Sequence, residues 1–369
     1  MLCGDIWKNK VLWNLNNLDI FLDITTACNA ACPMCIRTRP TGKRVPWLPK
    51  IEWSIEDFKK AIPPNVCQAS TDFQICGSTG DPIINKDIIK MVEHIRNNCN
   101  SFIRINTNGS LRDENFWWEL GVIGEKKLTV EFAIEGINQE MHEKYRQKTY
   151  LEKILNNMDI LSNTKANVET QTIVFKHNQK YLNDIEELCV KHGSVKHRHV
   201  YTDRWQIGKD GQGGSSKWYF VNSKGIPDTL EKAETEQKLK TTKHEQKNIK
   251  NTTMSVSKIR RNDTLITTNN IKCEWGNINK VVINPDGQVM PCCYIALSMY
   301  PGRYPTRKAQ AMHREFRDTK LWQKYNNDDH NVFKKNLLDI LKDSSWFNNH
   351  LPESWNNEPA PICKRFCSA

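Results

Sequence analysis

The chain has 369 residues, of which 38% are hydrophobic and 26% charged, and its formal net charge is +11. Its length and twelve tryptophans allow a sizeable core, while the lack of an apolar run of about 18 residues and of a signal-peptide layout excludes a membrane-spanning helix and predicts a cytoplasmic protein. The thirteen cysteines are an odd number and several have the spacing of metal ligands, so we do not expect a disulfide framework.

Six short β-rich runs alternate with helical patterns over the first 200 residues. The predicted strands are Ile20–Ile24, Asp72–Cys76, Phe102–Asn106, Leu128–Ile134, Val168–Val174 and Val195–Val200. Successive β/α units imply a parallel sheet with right-handed crossovers. Because six units are too few for a closed eight-stranded barrel, we predict an α/β fold of the partial (β/α)6, TIM-like barrel type.

Three cysteines follow the first predicted strand. Cys28, Cys32 and Cys35 have the spacing C-x3-C-x2-C. Three thiolates on one loop can hold three irons of a [4Fe–4S] cube and leave the fourth iron open. Two alternatives stay open at this point: a zinc site, which usually has four ligands, and ordinary thiols.

Polar motifs follow the next three predicted strands. They are the loop of residues 76–82, the run Asn106–Gly109, and the pair Glu135 and Gly136. In parallel barrels the functional loops lie at the carboxyl ends of the strands, so the three motifs and the cysteines are predicted to share one rim.

The cysteine spacing and these strand-end motifs together resemble the radical S-adenosylmethionine (radical SAM) superfamily. The resemblance implies a [4Fe–4S] cluster on Cys28, Cys32 and Cys35, with SAM chelating the open iron. It also implies an electron donor such as flavodoxin or ferredoxin, cleavage of SAM to a 5′-deoxyadenosyl radical, and removal of a hydrogen atom from an unreactive substrate carbon.

The loop of residues 77–82 resembles the family's Gly-Gly-Glu-Pro motif, with Thr79 in place of the first glycine and Asp81 in place of glutamate. A turn rich in Gly, Ser and Pro is the alternative interpretation. Arg146 matches an arginine for the SAM carboxylate, although an exposed helix arginine is an alternative. The SAM contacts that the resemblance implies are Met34, through its backbone, and Gly77, Thr79, Gly80, Asp81, Pro82, Asn108, Glu135 and Arg146.

Much of the positive charge lies in one polar stretch. Between Arg204 and Arg261 there are 13 Lys and Arg against 6 Asp and Glu. We interpret residues 204–270 as a solvated basic linker or insertion, with a docking surface for an anionic partner as the alternative.

The C-terminal part carries a second set of cysteines. Pro285, Asp286 and Gly287 predict a hairpin turn before Cys292. The pattern resembles the SPASM/twitch extensions of radical SAM enzymes and implies one auxiliary [4Fe–4S] cluster, with Cys293 as an alternative to Cys292 and a structural zinc as the alternative metal. The predicted ligands are Cys273, Cys292, Cys363 and Cys367.

The resulting domain prediction has four parts. Residues 1–17 form an N-terminal extension, 18–203 the radical SAM partial barrel, 204–270 the linker, and 271–369 a twitch/SPASM-like domain.

The substrate is less defined than the cofactors. The resemblance implies an oxidoreductase, and we expect oxidation or epimerisation of a small sugar-like metabolite. Modification of a peptide or protein side chain is the second hypothesis, and a non-catalytic metal-binding module that docks on nucleic acid is the third. Tyr201 and Asp203, after the sixth strand, are the candidate acid or base. We expect no membrane partner and no nucleic-acid partner for the enzyme.

Overall fold

The computed structural model describes residues 12–202, 204–206, 216–234, 271–299 and 316–367. Within these ranges no helix combines the length and the apolar character that crossing a membrane requires.

Eight strands form one mostly parallel, open sheet in the order β10-β9-β1-β2-β3-β4-β5-β6, and β7 pairs with β8 in a separate hairpin. Each of the six predicted strands coincides with one of β1 to β6, with ends shifted by no more than two residues. The strands are β1 Leu18–Leu22, β2 Ser70–Ile75, β3 Phe102–Thr107, β4 Leu128–Ala133, β5 Asn167–Ile173, β6 Ser194–Val200, β7 Lys217–Val221, β8 Pro227–Glu231, β9 Lys280–Ile283 and β10 Val289–Met290.

Helices connect the parallel strands and cover the C-terminal part. Those of the first part are α1 Ile55–Ala61, α2 Pro64–Gln68, α3 Ile88–Asn98, α4 Glu114–Gly124, α5 Gln139–Glu143, α6 Leu151–Ser162 and α7 Leu182–Lys191. Those of the C-terminal part are α8 Glu274–Asn277, α9 Cys293–Ser298, α10 Lys320–Gln323, α11 Leu337–Asp343, α12 Leu351–Asn357 and α13 Pro361–Cys367.

The two faces of the sheet differ in chemistry because side chains alternate along each strand. One face is apolar: Phe73, Ile105 and Val130 are fully buried in a core that includes Met91 of α3 and Ile154 of α6. The other face is hereafter called the polar face, and the strand register aligns its residues. They are Asp19, Asp72, Gln74, Arg104, Asn106, Glu131, Glu169, Gln171, Arg198 and Lys280.

Part of the predicted linker is folded, which the sequence interpretation missed. β7 and β8 form an antiparallel hairpin whose Phe220 and Leu230 pack against Cys32, Met34 and Phe175. The segment is highly charged as a whole, so its two short runs of alternating apolar residues, which flank a glycine turn, were not recognised as strands. Their apolar side chains cover part of the cysteine loop. The rest of the segment, residues 207–215 and 235–270, lies outside the described residues.

The C-terminal hairpin forms where Pro285, Asp286 and Gly287 predict it, and Gly287 adopts φ +82°, which favours glycine. Its strand β9 pairs in parallel with β1, so the predicted C-terminal domain extends the barrel sheet. The sequence did not predict this pairing, because no local signal specifies which strand edge a distant hairpin joins.

Candidate functional site

Contacts to its backbone carbonyls hold the cysteine loop after β1 in place. Arg37 is buried and donates from Nε to the carbonyl of Thr26 and from Nη2 to the carbonyl of Cys28, both at 3.2 Å. A Cβ at Gly80 would lie 2.2 Å from the carbonyl oxygen of Thr25, so only glycine allows the second loop to approach this closely. The two predicted loops are therefore in backbone contact.

The three thiols lie close enough to influence one another. Burial raises the pKa of Cys28, and the neighbouring Cys32 and Cys35 raise it further, while the Arg37 guanidinium lowers it. Burial also raises the pKa of Cys32 to about 11, against the lowering effect of Arg146. Among the described residues, no group of three His, Cys, Asp or Glu side chains has the geometry of a metal-ion site.

Two side-chain donors nevertheless face the sulfurs. Asn108 Nδ2 lies 3.8 Å from Cys28 Sγ, and Arg146 Nη1 lies 3.9 Å from Cys32 Sγ. Donors directed at buried sulfur fit anionic thiolate ligands, because they compensate part of the lost hydration. The donor set thus fits an iron–sulfur cluster on these cysteines.

Asp81 is buried and organises the strand ends. Its carboxylate accepts from Thr107 Oγ1 and from the Asn108 backbone, both at 2.8 Å, from Asn108 Nδ2 at 2.5 Å and from the Ile83 backbone at 3.3 Å. Burial raises the pKa of Asp81, and these hydrogen bonds act in the opposite direction. The carboxylate therefore links the loop after β2 to the end of β3.

Glu135 and Arg146 form a buried ion pair. Arg146 donates from Nε at 2.7 Å and from Nη2 at 2.9 Å, and the Glu135 side chain is 0% exposed. The structure thus joins two residues that the sequence interpretation assigned separately to SAM. Arg146 is not an exposed helix arginine.

The remaining predicted SAM residues lie around the same loops. Arg204 Nη1 donates to the carbonyl of Met34 at 2.6 Å, and this carbonyl keeps a second lone pair for an adenine amine. Thr79 is buried, and its Oγ1 has no hydrogen-bond partner among the described residues. Gly77 packs against the carbonyl of Gly80, and Pro82 begins a short 3-10 turn, Pro82–Ile84.

The candidate acid or base is less well placed. Tyr201 follows β6 directly and is half-buried, whereas Asp203 lies outside the described residues. Their neighbour His197 contacts Thr170 and Thr172, both fully buried, rather than the polar face.

The structure brings the four C-terminal cysteines together. Burial and the nearby Cys273 raise the pKa of Cys367 to about 11. The pKa of Cys363 is raised by burial and by both Cys367 and Cys273. Burial raises the pKa of Cys292, and Cys293, Cys273 and Cys363 raise it further. Cys273 and Cys292 also begin helices, accepting from the Gly276 and Ile295 backbone N–H groups at 3.4 and 3.5 Å respectively.

Cys292 and Cys293 have different surroundings. Cys292 is buried and interacts with Cys273 and Cys363 as well as with the adjacent Cys293, and Cys293 also influences Cys76 at the end of β2. This arrangement favours Cys292 as the fourth member of the C-terminal set.

The polar face carries a hydrogen-bonded network and a separate ion pair on the strands that lead to the site. Lys280 donates to Gln74 at 3.3 Å, Gln74 donates to Asn106 at 3.2 Å, and Asn106 donates to Glu131 at 2.5 Å. Arg198 is ion-paired with Glu131. Arg104 is ion-paired with Glu169 at 2.6 Å.

Sequence reasoning missed several residues that shape the site. Arg37 and Thr107 position the loops, Asp23 accepts from the Ser78 backbone at 3.0 Å, and Glu131 and Arg198 belong to the polar face. Strand alternation was the available signal for the last two, since Glu131 lies between the apolar Val130 and Phe132, and Lys196 and Arg198 alternate with histidines on β6.

Comparison with known proteins finds a family model that matches the first part of the chain. Residues 22–189 match the model of the Radical SAM superfamily. This match covers slightly less than half of the chain and includes the three cysteines after β1 and the strands β2 to β5.

Curated relatives match the same region. The chain is 28% identical over 183 residues to "Probable GTP 3',8-cyclase" of Methanothermobacter thermautotrophicus, covering 48% of this chain and 55% of the relative. It is 25% identical over 179 residues to the GTP 3',8-cyclase of Aliarcobacter butzleri, covering 47% and 52%. The chain thus spans about half the length of these relatives.

Solved structures match nearly the whole chain at low identity. SuiB of Streptococcus suis bound to S-adenosylmethionine has a TM-score of 0.55 and 10% identity, covering 95% of this chain and 72% of that one. SuiB bound to the precursor peptide SuiA has a TM-score of 0.54 and 12% identity, covering 92% and 67%. anSMEcpe with bound AdoMet and the Cp18Cys peptide has a TM-score of 0.51 and 12% identity, covering 95% and 89%. These similarities establish the fold.

Proposed function

We propose that this protein reductively cleaves S-adenosylmethionine and uses the product to remove a hydrogen atom from a polar substrate carbon. The observation that carries the proposal is the convergence of Cys28, Asp81, Asn108 and Arg146 at the carboxyl ends of adjacent strands. Three cysteines with the family spacing thus lie beside side chains suited to an amino acid ligand.

Separate groups of residues would bind the cluster and the parts of SAM. Cys28, Cys32 and Cys35 would hold the [4Fe–4S] cluster, which when bound supplies the electron that cleaves SAM to a 5′-deoxyadenosyl radical. The loop of residues 77–82, ordered by Asp81, would present backbone acceptors to the SAM ammonium group. The Met34 carbonyl would accept from the adenine. An electron donor such as flavodoxin or ferredoxin is part of the proposal.

An auxiliary [4Fe–4S] cluster is the second cofactor that we propose. Its ligands would be Cys273, Cys292, Cys363 and Cys367, in a twitch-like arrangement. Four mutually influencing thiols at two helix starts and on one C-terminal helix support it. A cluster at this place would accept an electron from a substrate radical, which makes a net oxidation the expected reaction and an oxidoreductase the expected class.

The polar face favours a small, hydrogen-bonding metabolite as the substrate. Its charged and amide side chains lie directly below the cysteine loop, and such a wall suits hydroxyl, carboxylate or phosphate groups better than an apolar side chain. Oxidation or epimerisation of a small sugar-like metabolite is therefore the first candidate.

Peptide modification is the second candidate. It is favoured by the two solved relatives whose structures hold peptides and whose folds match more than nine-tenths of this chain. Their identity of 12% makes this a likeness of fold, so the polar face decides the order of the two candidates.

Iron and sulfide counts on the anaerobically reconstituted protein test the cofactor proposal. We expect about eight irons per chain, falling to about four in Cys28/Cys32/Cys35→Ala and to about four in Cys292→Ser. Cys293→Ser is the matched control and is expected to keep all eight. Zinc without iron, or an iron loss with Cys293→Ser but not with Cys292→Ser, contradicts the assignment.

A further inference from the structure

Two guanidinium groups of the polar face, those of Arg104 and Arg198, use only part of their hydrogen-bond donors in contacts with neighbouring carboxylates. The acceptors are largely committed: Glu131 receives Asn106 on Oε1 and Arg198 on Oε2, and Glu169 receives Arg104 on Oε2. A guanidinium has five N–H donors and an ammonium has three. Arg104 and Arg198 therefore keep donors that these contacts do not use, while the other two carboxylates of the face, Asp19 and Asp72, interact with Lys280.

The guanidinium of Arg198 has hydrogen-bond partners at Nη2 but, in the part of the chain that the structure describes, none at Nε. Its Nη2 donates to Glu131 and, at 3.4 Å, to Gln171, whereas its Nε has no hydrogen-bond partner among the described residues. The side chain is 28% exposed, and that of Glu131 is 1% exposed. A buried donor without an acceptor costs free energy, and a ligand oxygen that draws the guanidinium toward it removes this cost.

Arg104 has a comparable position on the other side of Glu131. Its Nη1 donates to Glu169, its side chain is 30% exposed, and its charge also interacts with Glu131. Two partly exposed guanidinium groups thus flank one buried carboxylate, which fixes their positions without using all their donors.

The network lies within reach of the cysteine loop. Asn106 of the network lies on β3, and Asn108 beside Cys28 follows the end of that strand two residues later, which corresponds to about 7 Å of extended chain. A small molecule that binds Arg198 can therefore place its carbon skeleton between the network and the cysteines.

We propose that Arg198 and Arg104 bind a carboxylate or phosphate group of the substrate, so that the substrate is a small anionic metabolite. This rests on the proposed function, because it names the substrate class of the same site. Arginine suits this role since its planar donors match the oxygens of both groups in pairs. Glu131 acts as the positioning residue that holds Arg198.

Isothermal titration calorimetry on the full-length, reconstituted protein tests the proposal with three probes of similar size: glucose 6-phosphate, gluconate and glucose. We expect at least one of the two anions to bind about tenfold more tightly than glucose. The stronger of the two identifies the group. The proposal is overturned if glucose and both anions bind with equal affinity. It is also overturned if neither anion binds.

Variants assign the binding to Arg198. Arg198→Gln is expected to weaken the preferred anion about tenfold. Because it leaves Glu131 buried and unpaired, the double variant Arg198→Gln/Glu131→Gln repeats the test with a neutral pair, and a thermal melt verifies its folding. Arg96→Gln, on α3 and away from the polar face, is the control that keeps wild-type affinity.

Two results separate this proposal from the proposed function. Unchanged anion affinity in both Arg198 variants overturns the assignment of the anion site. SAM cleavage by the wild-type protein is scored independently, so its absence would reject the proposed function and leave the anion site standing.

Discussion

Arg146 lies between Glu135 and Cys32. Its guanidinium binds Glu135 through two hydrogen bonds of 2.7 and 2.9 Å, and its Nη1 lies 3.9 Å from Cys32 Sγ. The interpretation from sequence gave Arg146 to the SAM carboxylate. The geometry adds a second role, in which the cation stabilises the charge on a cluster ligand.

This second role predicts a change in reduction potential. Glu135→Gln/Arg146→Gln removes a cation and an anion that act on Cys32 in opposite directions, and Arg146 has the larger effect. The potential of the cluster is therefore expected to fall, by less than the roughly 60 mV that corresponds to a tenfold change for one electron. A redox titration followed by electron paramagnetic resonance measures it. The paired change avoids leaving a buried carboxylate unpaired, which costs about 3–5 kcal/mol.

The same variant separates the two roles of Arg146. A weaker SAM affinity with an unchanged potential would assign Arg146 to the SAM carboxylate alone. Lys59→Gln, on an exposed face of α1, is the control and is expected to change neither quantity.

Asp81 is expected to be intolerant even of its amide. Asp81→Asn places an N–H₂ group where Thr107, Asn108 and Ile83 donate, so we expect a loss of stability of about 1–3 kcal/mol and a SAM affinity weakened about tenfold. Urea unfolding and equilibrium dialysis with SAM measure the two effects. Asp113→Asn is the matched control, since asparagine also caps a helix N-terminus, here that of α4. Wild-type SAM affinity in Asp81→Asn contradicts the role given to this carboxylate.

The stability of the protein is expected to fall in acid because His197 is buried in its neutral form. Burial lowers the pKa of His197 from 6.5 to about 3. Between these values the unfolded chain binds one more proton than the folded chain, so the free energy of unfolding falls by about 1.4 kcal/mol for each pH unit of acidification. The effect is absent above pH 6.5, where the ring is neutral in both states.

Urea unfolding at several pH values measures this dependence. His197→Gln is expected to reduce the slope by about one proton between pH 6.5 and 4. His177→Gln is the comparison, because burial lowers the pKa of His177 to about 4 and its window is therefore narrower. An unchanged slope in His197→Gln would show that this ring titrates in the folded protein as it does in the unfolded chain.

The β7–β8 hairpin is expected to stabilise the cysteine loop. Phe220 is 5% exposed and packs with Cys32 and Met34, so Phe220→Ala should cost about 3–5 kcal/mol, mainly as local opening of the hairpin. The Val221 N–H donates to the carbonyl of Pro40 at 2.7 Å and should exchange faster with deuterium.

Hydrogen exchange with Ile226→Ala as the control tests this prediction. Ile226 is 57% exposed on the same hairpin, so its removal is expected to leave the exchange of Val221 unchanged. If the Val221 amide exchanges faster in both variants, or in neither, the packing of Phe220 does not hold the hairpin against the cysteine loop, and the prediction is wrong.

The sequence predicted the parts of the fold that depend on local patterns. Alternating apolar runs located β1 to β6, and the cysteine spacing located the loop that holds Cys28, Cys32 and Cys35. The pairing of β9 with β1, the β7–β8 hairpin and the ion pair of Glu135 with Arg146 all depend on contacts between distant segments. The polar face was missed for a related reason, because each strand contributes only one or two polar residues to it and the face becomes visible only in the assembled sheet.

The most direct test of the central claim is the formation of 5′-deoxyadenosine from SAM by the reconstituted protein under dithionite, measured by mass spectrometry. The account predicts 5′-deoxyadenosine and methionine in equal amounts from the wild-type protein and none from Cys28/Cys32/Cys35→Ala. Iron-loaded protein that leaves SAM intact, or a triple variant that still cleaves it, would contradict the account.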